Sequence, residues 1–479
     1  MVVSFAGNPE LTQAAANLTR VFFPTDTKEQ VRIELYDRSE GTTLAVACVI
    51  NGEIINCAES SDQAEVGKEL KRIARVALVK GLRELKPDVH LPWGILTGIR
   101  PTKLIHRLLD KGCSDREIGE LLAERYLIQA DKISLGLEIA AKQRKYLPTP
   151  GESSQFVSVY VGIPFCPSRC SYCSFASYVG QGERLDQYLL SLKQEISALG
   201  EELGQRGIRV KTIYVGGGTP TILSQGQLQE LLAVCFGSLR SKDTQEITVE
   251  AGRPDTLDQA KLETLLKFGV NRLSINPQTM SDSTLQRIGR NHTARQFVES
   301  FKLARQTGFT NINMDIILGL PGETLQDVKF TLQEVARLDP DSLTVHALAI
   351  KRKSYLRQEI EYSGPSVGLD GLYMQEEAER TARNLGMGPY YLYRQKQILN
   401  NLENVGYAKP SKESLYNIEI MEERRSIIGT GSGSSTKIVN PADWSLVNLQ
   451  NPKDIERYRQ TWRHSLENRM SRLDFILRG

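Results

Sequence analysis

The chain has 479 residues, 40% apolar and 24% charged, with a formal net charge of +3. That composition describes an ordinary globular protein with a sizeable core, and the weak charge gives no case for a nucleic-acid partner. No apolar run approaches the ~18 residues of a membrane span, residues 1–8 lack the basic-then-apolar pattern of a signal peptide, and seven cysteines, three of them clustered, do not make a disulfide framework. A reducing, cytoplasmic setting is expected.

The length predicts two to three domains at roughly 100–200 residues each. Val31–Tyr36, Thr43–Ile50 and Ile54–Cys57 alternate apolar and polar residues and predict a small β-meander, with Asn51-Gly52 as a hairpin turn. An amphipathic helix follows over about 64–85, with Leu70, Ile73, Ala74 and Ala77 on its apolar face. Residues 91–104 are too rich in Trp, Gly and Pro for either period. Ser114-x-x-Glu117 is a capping box that opens further helix, and helical periodicity runs to about Tyr146. The stretch 114–142 reads as a plain helical hairpin rather than a DNA-binding helix-turn-helix. A Pro/Gly/Ser linker at 147–154 then closes a separate α+β module, 1–148.

From 155 the rhythm changes. Strand-like runs at 157–163, 209–215, 245–251, 271–276, 311–318 and 342–350 alternate with helical segments, two of them opened by capping boxes, Ser224/Gln227 and Thr256/Gln259; Gly269 closes the second. This predicts an α/β domain over 155–350 with a parallel sheet, doubly wound or a partial barrel, and chemistry in the loops at the C-terminal strand ends. Beyond 351 the alternation stops. Helical stretches at 369–386 and 395–405, the aromatic run 389–394, the glycine–serine loop 429–435 and a charged helical tail predict a mainly helical accessory region, 351–479, capping the sheet.

Cys166, Cys170 and Cys173 stand in C-x3-C-x2-C spacing directly after the first strand of the alternating region. Three thiolates from one loop suit an iron–sulfur cluster, and three ligands on a four-iron cluster leave one iron open. A structural zinc would want a fourth close ligand, and the next candidates are Cys235 and His292. Cys48, Cys57, Cys113 and Cys235 are scattered and read as packed thiols. The second strand runs into Gly216-Gly217-Gly218-Thr219, which lets a ligand approach the backbone but lacks both the P-loop lysine and the dinucleotide fingerprint, so a zwitterion suits it better than a polyphosphate. Glu250, Gln278, Arg290 and Asp315 fall near later strand ends and could together hold an amino acid by its charges and a ribose by its hydroxyls. Asp315 interrupts an apolar run, where a carboxylate needs a partner.

The run Tyr160–Cys173 with Gly216–Thr219 resembles the radical S-adenosylmethionine (SAM) enzymes. Within that superfamily, residues 155–440 resemble the oxygen-independent coproporphyrinogen III oxidases and their haem-chaperone relatives. Gln278 and Arg290, Met314-Asp315 through Gly322, and Ala349 carry that likeness. The 1–148 extension and the run Tyr390–Lys396 look like the HemZ type, the coproporphyrinogen dehydrogenases. The resemblance implies a partial (β/α)6 TIM-like barrel in which Cys166, Cys170 and Cys173 hold a [4Fe-4S] cluster that generates the radical. It implies that Tyr160, Tyr172, Gly217, Gly218, Thr219, Glu250, Gln278, Arg290, Asp315 and Ala349 line the SAM site. The reaction it implies converts two propionates of coproporphyrinogen III to vinyls in haem biosynthesis, giving protoporphyrinogen IX, with reduced flavodoxin or ferredoxin as electron donor and a monomeric enzyme.

Two departures from the oxidases bear on the substrate. The motif ends Cys173-Ser-Phe175 where they read Cys-x-Cys, and Gly162 stands where they carry His; both bring the chain nearer the haem-chaperone branch. A tetracarboxylate tetrapyrrole calls for basic residues at the pocket mouth. Lys351 and Arg352, after the sixth strand, and Arg394, within the tyrosine run, are the candidates, each also readable as a solvated basic residue. His346, mid-strand in an apolar run, reads as a satisfied core or pocket histidine rather than a haem ligand. A haem-binding protein without decarboxylase activity, and another radical modification of a tetrapyrrole, remain open beside the decarboxylase.

Overall fold

A computed structural model describes residues 2–23, 30–40, 43–60, 66–96, 100–173, 177–180, 182–349, 370–395 and 398–478. The chain forms two compact units. The first comprises Met1–Ala141 with Ile360–Leu372 and Leu392–Glu403; the second comprises Lys142–Glu359, Tyr373–Tyr391 and Asn404–Gly479. The boundaries expected at 148 and 351 are thus drawn differently, with segments beyond 351 divided between the two.

The first unit holds a four-stranded sheet in sequence order: β1 (Val2–Gly7), β2 (Gln30–Asp37), β3 (Thr43–Ile50) and β4 (Glu53–Ser60), with β1 parallel to β2 and the remaining pairs antiparallel. The expected meander forms, and Asn51 and Gly52 take the positive φ values, 52° and 97°, that a two-residue hairpin turn requires. β1 and the helix Pro9–Phe22 go beyond the expectation, although the start signal is present. Asn8 caps the helix by accepting from Glu10 N and Leu11 N, and Pro9 follows it. The helix Val66–Leu85 buries Ile73, Ala74, Ala77, Leu78 and Leu82 in one core with Val31, Ile33, Leu35 and Val46. The Ser114/Glu117 capping box is formed in both directions.

The second unit is an eleven-stranded sheet wrapped by helices. Its strands are β5 (Phe156–Ile163), β8 (Arg209–Gly217), β9 (Glu246–Glu250), β10 (Arg272–Ser274), β11 (Ile312–Leu318), β12 (Ser342–Ala347), β13 (Gly388–Tyr393), β14 (Asn404–Ala408), β15 (Ser426–Thr430), β16 (Ser435–Val439) and β17 (Leu446–Gln450). The short strands β6 (Phe165–Cys166) and β7 (Tyr178–Val179) pair separately with each other. The order is β13-β14-β12-β11-β10-β9-β8-β5-β15-β16-β17, and β5 through β12 are parallel, as the βα alternation predicts. β15 continues the parallel run beside β5, β14 pairs antiparallel with β12, and β16 and β17 form an antiparallel edge. This is the α/β, partial-barrel architecture of the radical SAM type, carrying strands as well as helices after residue 370.

The strands alternate with period two. Val157, Val159, Val161, Ile213, Val215, Ile247, Val249, Ile312, Met314, Leu343 and Val345 are buried on one face. The other face carries Ser158 and Tyr160, Thr212 and Tyr214, Glu246, Thr248 and Glu250, Arg272 and Ser274, Asn313 and Asp315, then Ser342, Thr344 and His346. Polar residues on that face bond across strands, Arg272 to Ser342, Ser342 to Asn313 and Asn313 to Ser274.

Local signals were partly displaced. Thr149, inside the expected linker, opens the helix Pro150–Gln155 with a full capping box. Thr256 ends a short 3-10 turn, and Asp258 caps the next helix instead by accepting from Lys261 N; Gly269 follows that helix at φ 79°. The helix expected over 395–405 is replaced by a 3-10 turn, Leu399–Asn401, and then β14, while the aromatic run is β13.

Candidate active site

β5 delivers the chain into the cysteine loop, and the glycine loop after β8 closes onto it. Gly218 N donates to Ile163 O at 2.8 Å and Thr219 N to Phe165 O at 2.7 Å. Any Cβ at Gly218 would lie 2.9 Å from Cys166 Sγ, so only glycine lets the two loops meet. Thr219 Oγ1 reaches Cys166 Sγ at 3.6 Å. Arg253, just past β9, donates to Ser168 Oγ at 3.1 Å and reaches Cys170 Sγ at 3.9 Å, while Asp255 holds its guanidinium in a fork, 3.0 Å on both arms. Ser171 N donates to Ile288 O at 3.0 Å, and Arg290 donates to Gly252 O (2.7 Å), Asn276 O (2.9 Å) and Tyr172 OH (3.1 Å). The cysteine loop is thereby tied to the ends of β8 and β9 and to the turn after β10. Cys170 is buried, and Cys166 and Cys173 half-buried. Burial pushes the Cys166 thiol up, against the hydrogen bond from Thr219.

Among the described residues, no three His, Cys, Asp or Glu side chains converge on a single metal ion. A four-iron cluster does not ask for that, because each thiolate takes a different iron.

The expected SAM residues lie on the same strands and in the turns after them, with Tyr160 within β5, Asp315 within β11, Glu250 at the end of β9, and Gln278 and Arg290 beyond β10. Glu250 accepts from Tyr214 OH at 2.7 Å and from Gly217 N at 3.0 Å, yet burial pushes its carboxyl up to about 7. Asp315 accepts from Asn313 Nδ2 at 2.7 Å and lies 3.7 Å from His346 Nε2. Burial works against its charge, but His346, Asn313 and Thr344 hold the carboxyl below its ordinary value. Gln278 has φ +65°, unusual for a residue with a side chain. Its N–H donates to Asp315 O, its own carbonyl accepts from Ile317 N, and its buried Oε1 has no partner among the described residues. Tyr160 stacks on Tyr214 with centroids 6.1 Å apart. Ala349 is half-buried just beyond β12.

Three participants went unassigned in the sequence: Ser168, Arg253 and Asp255. Their signal was a polar Arg-Pro-Asp turn directly after a strand end. His346, near the end of β12, faces the Asp315 carboxylate at 3.7 Å. Lys351 and Arg352 lie outside the described residues. Arg394 is corrected. It belongs to the first unit and is 5% exposed, with its guanidinium donating to Leu96 O and to Asn401 O and Oδ1, 5.9 Å over the Trp93 ring. Committed to those partners, it is a packing residue and not an open carboxylate anchor.

Residues 160–335 match the family model of the radical SAM superfamily. Over 387 residues the chain is 43% identical to the oxygen-independent coproporphyrinogen-III oxidase-like protein HemZ of Bacillus subtilis, covering 80% of this chain and 77% of that one. The chain belongs to this HemZ-type family of radical SAM proteins. It is also 41% identical over 198 residues to the haem chaperone HemW of Bacillus subtilis, covering 41% of this chain and 52% of HemW. Among solved structures, the coproporphyrinogen III oxidase HemN of Escherichia coli aligns with a TM-score of 0.54 at 26% identity, over 68% of this chain and 73% of HemN. Radical SAM proteins use a [4Fe-4S] cluster and SAM, and no described helix is long and apolar enough to cross a membrane.

The residues present fit both cofactors. Two of the three sulfurs already face hydrogen-bond donors of the kind that orient and tune cluster ligands. Gln278 Oε1 is a buried acceptor with no partner among the described residues, and Glu250 is a largely buried carboxylate whose charge a bound ammonium would stabilise.

Proposed function

We propose that this HemZ-type protein oxidatively decarboxylates propionate side chains of coproporphyrinogen III to vinyls, yielding protoporphyrinogen IX without oxygen. The observation that carries the reading is the seam where Cys166 meets Gly218 and Thr219, with Glu250, Gln278 and Asp315 on or just after β9, β10 and β11 of the same sheet. The 43% identity to HemZ supports the choice of substrate.

In this reading Cys166, Cys170 and Cys173 hold the [4Fe-4S] cluster. Tyr160, Tyr172, Gly217, Gly218, Thr219, Glu250, Gln278, Arg290, Asp315 and Ala349 hold SAM. The bound pair supplies the one-electron chemistry that activates an unreactive C–H bond. The chain's own residues bind and orient. Glu250 presents a carboxylate to an ammonium, Gln278 an amide oxygen to a donor, and Asp315 a carboxylate steadied by Asn313 and His346 to hydroxyl groups. Arg253, locked by Asp255, holds the cysteine loop and balances thiolate charge. The tyrosine layer Tyr160, Tyr214 and Tyr416 walls the site from below and keeps water out.

One observation favours a haem-handling role instead. At Gly162, where the oxidases carry His, a Cβ would lie 3.2 Å from Thr430 O and 3.4 Å from the Tyr160 ring, leaving little room for a side chain. Anaerobic turnover of the cluster-loaded protein with SAM, a strong reductant and coproporphyrinogen III decides between them. Protoporphyrinogen IX with 5′-deoxyadenosine is the expected result; stoichiometric haem binding with no porphyrin product would replace the decarboxylase with the haem-handling reading.

A further inference from the structure

The loop Gly431–Ser434 joins β15 to β16 at the C-terminal end of β15, beside the end of β5 from which the cysteine loop departs. A glycine–serine loop at such a strand end ordinarily offers its amides to an anion. Here they are all taken. Gly431 N donates to Glu195 Oε2 at 2.8 Å, Ser432 N to Tyr188 OH at 3.2 Å, Gly433 N to Pro452 O at 2.8 Å and Ser434 N to Gly431 O at 3.3 Å. The loop is built to hold something of the protein's own.

What it holds is reached through Tyr188, on the helix Glu183–Gln205. The Tyr188 hydroxyl, while accepting from Ser432, donates to Gly162 O at 2.5 Å, near the end of β5. Its ring meets Phe165 edge-on at 5.5 Å, and Phe165 directly precedes Cys166. On the far side of the cysteine loop, Phe165 meets Tyr178 at 5.9 Å, and Tyr178 OH donates to Lys453 O at 3.3 Å. Ser432 Oγ reaches the same Lys453 O, at 2.8 Å, and Pro452 O at 3.0 Å. Entry to and exit from the cysteine loop are therefore fastened to one short segment.

Glu195 fastens that segment in turn. It is 0% exposed and accepts from Gly431 N, Tyr458 OH (2.6 Å), Asn451 Nδ2 (3.2 Å) and Arg469 Nη2, which brings in the C-terminal helix Ile455–Arg478. Gly431 has φ +90°, and a Cβ there would stand 2.6 Å from Gly162 O, so no side chain separates loop from strand.

We propose that Tyr188 and the Gly431–Ser434 loop form a clamp that sets the geometry of the cysteine loop, with Tyr188 the positioning residue for Cys166 and Glu195 the anchor. A loop with only Pro, Ser, Arg and Tyr between its cysteines has little structure of its own, so the placement of its thiolates comes from what it rests on. The inference rests on Cys166, Cys170 and Cys173 being the cluster ligands.

Tyr188→Phe removes the hydroxyl and keeps the ring; Ser432→Ala cuts the tie to Pro452 and Lys453. Each variant is reconstituted anaerobically and compared with the unaltered protein in iron release to a chelator and in the electron paramagnetic resonance of the reduced cluster with and without SAM, with circular dichroism to confirm folding. Iron release several-fold faster and a weakened SAM-induced spectral change are expected, with the fold retained. Unaltered release and spectra in the folded variants overturn the clamp; if Tyr188→Phe fails to fold, Ser432→Ala decides on the same readouts. Cys166→Ala runs in parallel. A full cluster in that variant overturns the ligand assignment, whereas a missing cluster there with unaltered Tyr188→Phe overturns the clamp alone.

Discussion

β9 carries a glutamate at each end on the same face of the sheet, and the two are treated in opposite ways. Glu246, at the N-terminal end, accepts from Ser414 Oγ (2.9 Å), Leu415 N (2.6 Å), Tyr416 N (3.4 Å) and Thr248 Oγ1 (3.0 Å), and so caps the helix Leu415–Glu422 beneath the barrel. Glu419 of that helix accepts from Ser158, Thr212 and Arg425, closing the same end. Glu250, four residues on, stands against Gly216 and Gly217, and burial pushes its carboxyl up to about 7. Glu246 and Glu419 are thus held by partners from the chain itself and fasten the helix to their end of the sheet. In the proposed function, Glu250 and Gln278 at the other end are instead kept for a ligand, at a cost to the empty protein.

The strongest way to break this contrast is at the thiols. Cys166→Ala, Cys170→Ala or Cys173→Ala should each abolish cluster assembly, read as iron and sulfide per chain and visible absorbance, with unfolding midpoints close to the parent. Next come the two glutamates, which should give opposite signatures. Glu246→Ala strands a buried hydroxyl and a helix N-terminus, and should destabilise the second unit by about 3 kcal/mol in chemical denaturation. Glu250→Gln should retain stability and weaken SAM binding about tenfold or more by calorimetry. Equal effects of both on stability, with none on SAM, would erase the distinction.

The pH dependence sharpens the same point. Glu250 has a folded-state value of about 7 against an ordinary 4.5, so its protonated form stabilises the empty site. That contribution is complete below about 4.5 and is lost as pH rises through about 7, amounting to roughly 3 kcal/mol before its partial exposure is discounted. The unliganded protein should therefore lose stability across this window relative to Glu250→Gln, while SAM affinity rises as the carboxylate ionises; parallel stability curves for the two proteins would refute it. The smallest effect is expected far from the site. Ser114→Ala removes a capping box in the first unit and should lower its stability by about 1 kcal/mol without changing iron content.

The parallel sheet was legible because strand-like runs alternate with helical segments and because Cys and Gly follow the strands; the choice of a partial barrel came from the family resemblance. Other features depend on partners distant in the chain. Arg253 shows its role only when the sheet brings it beside Ser168 and Cys170. Arg394 looks like a free cation in an aromatic run until Trp93 and Leu96 meet it. Over 395–405, Ile398, Leu399 and Leu402 mimic a helical face, but Asn400 and Asn401 take positive φ values of 46° and 56° and end the turn after one step. At 256–258 two capping residues compete, and Asp258 wins.

The central claim is that three thiolates at the open end leave one iron for SAM. Mössbauer spectra of the protein loaded with an isotopically enriched cluster, recorded with and without SAM, test it most directly. The account predicts that SAM shifts one iron of the four and leaves the other three unchanged. Spectra identical in both states, or a shift shared by all four irons, would contradict it.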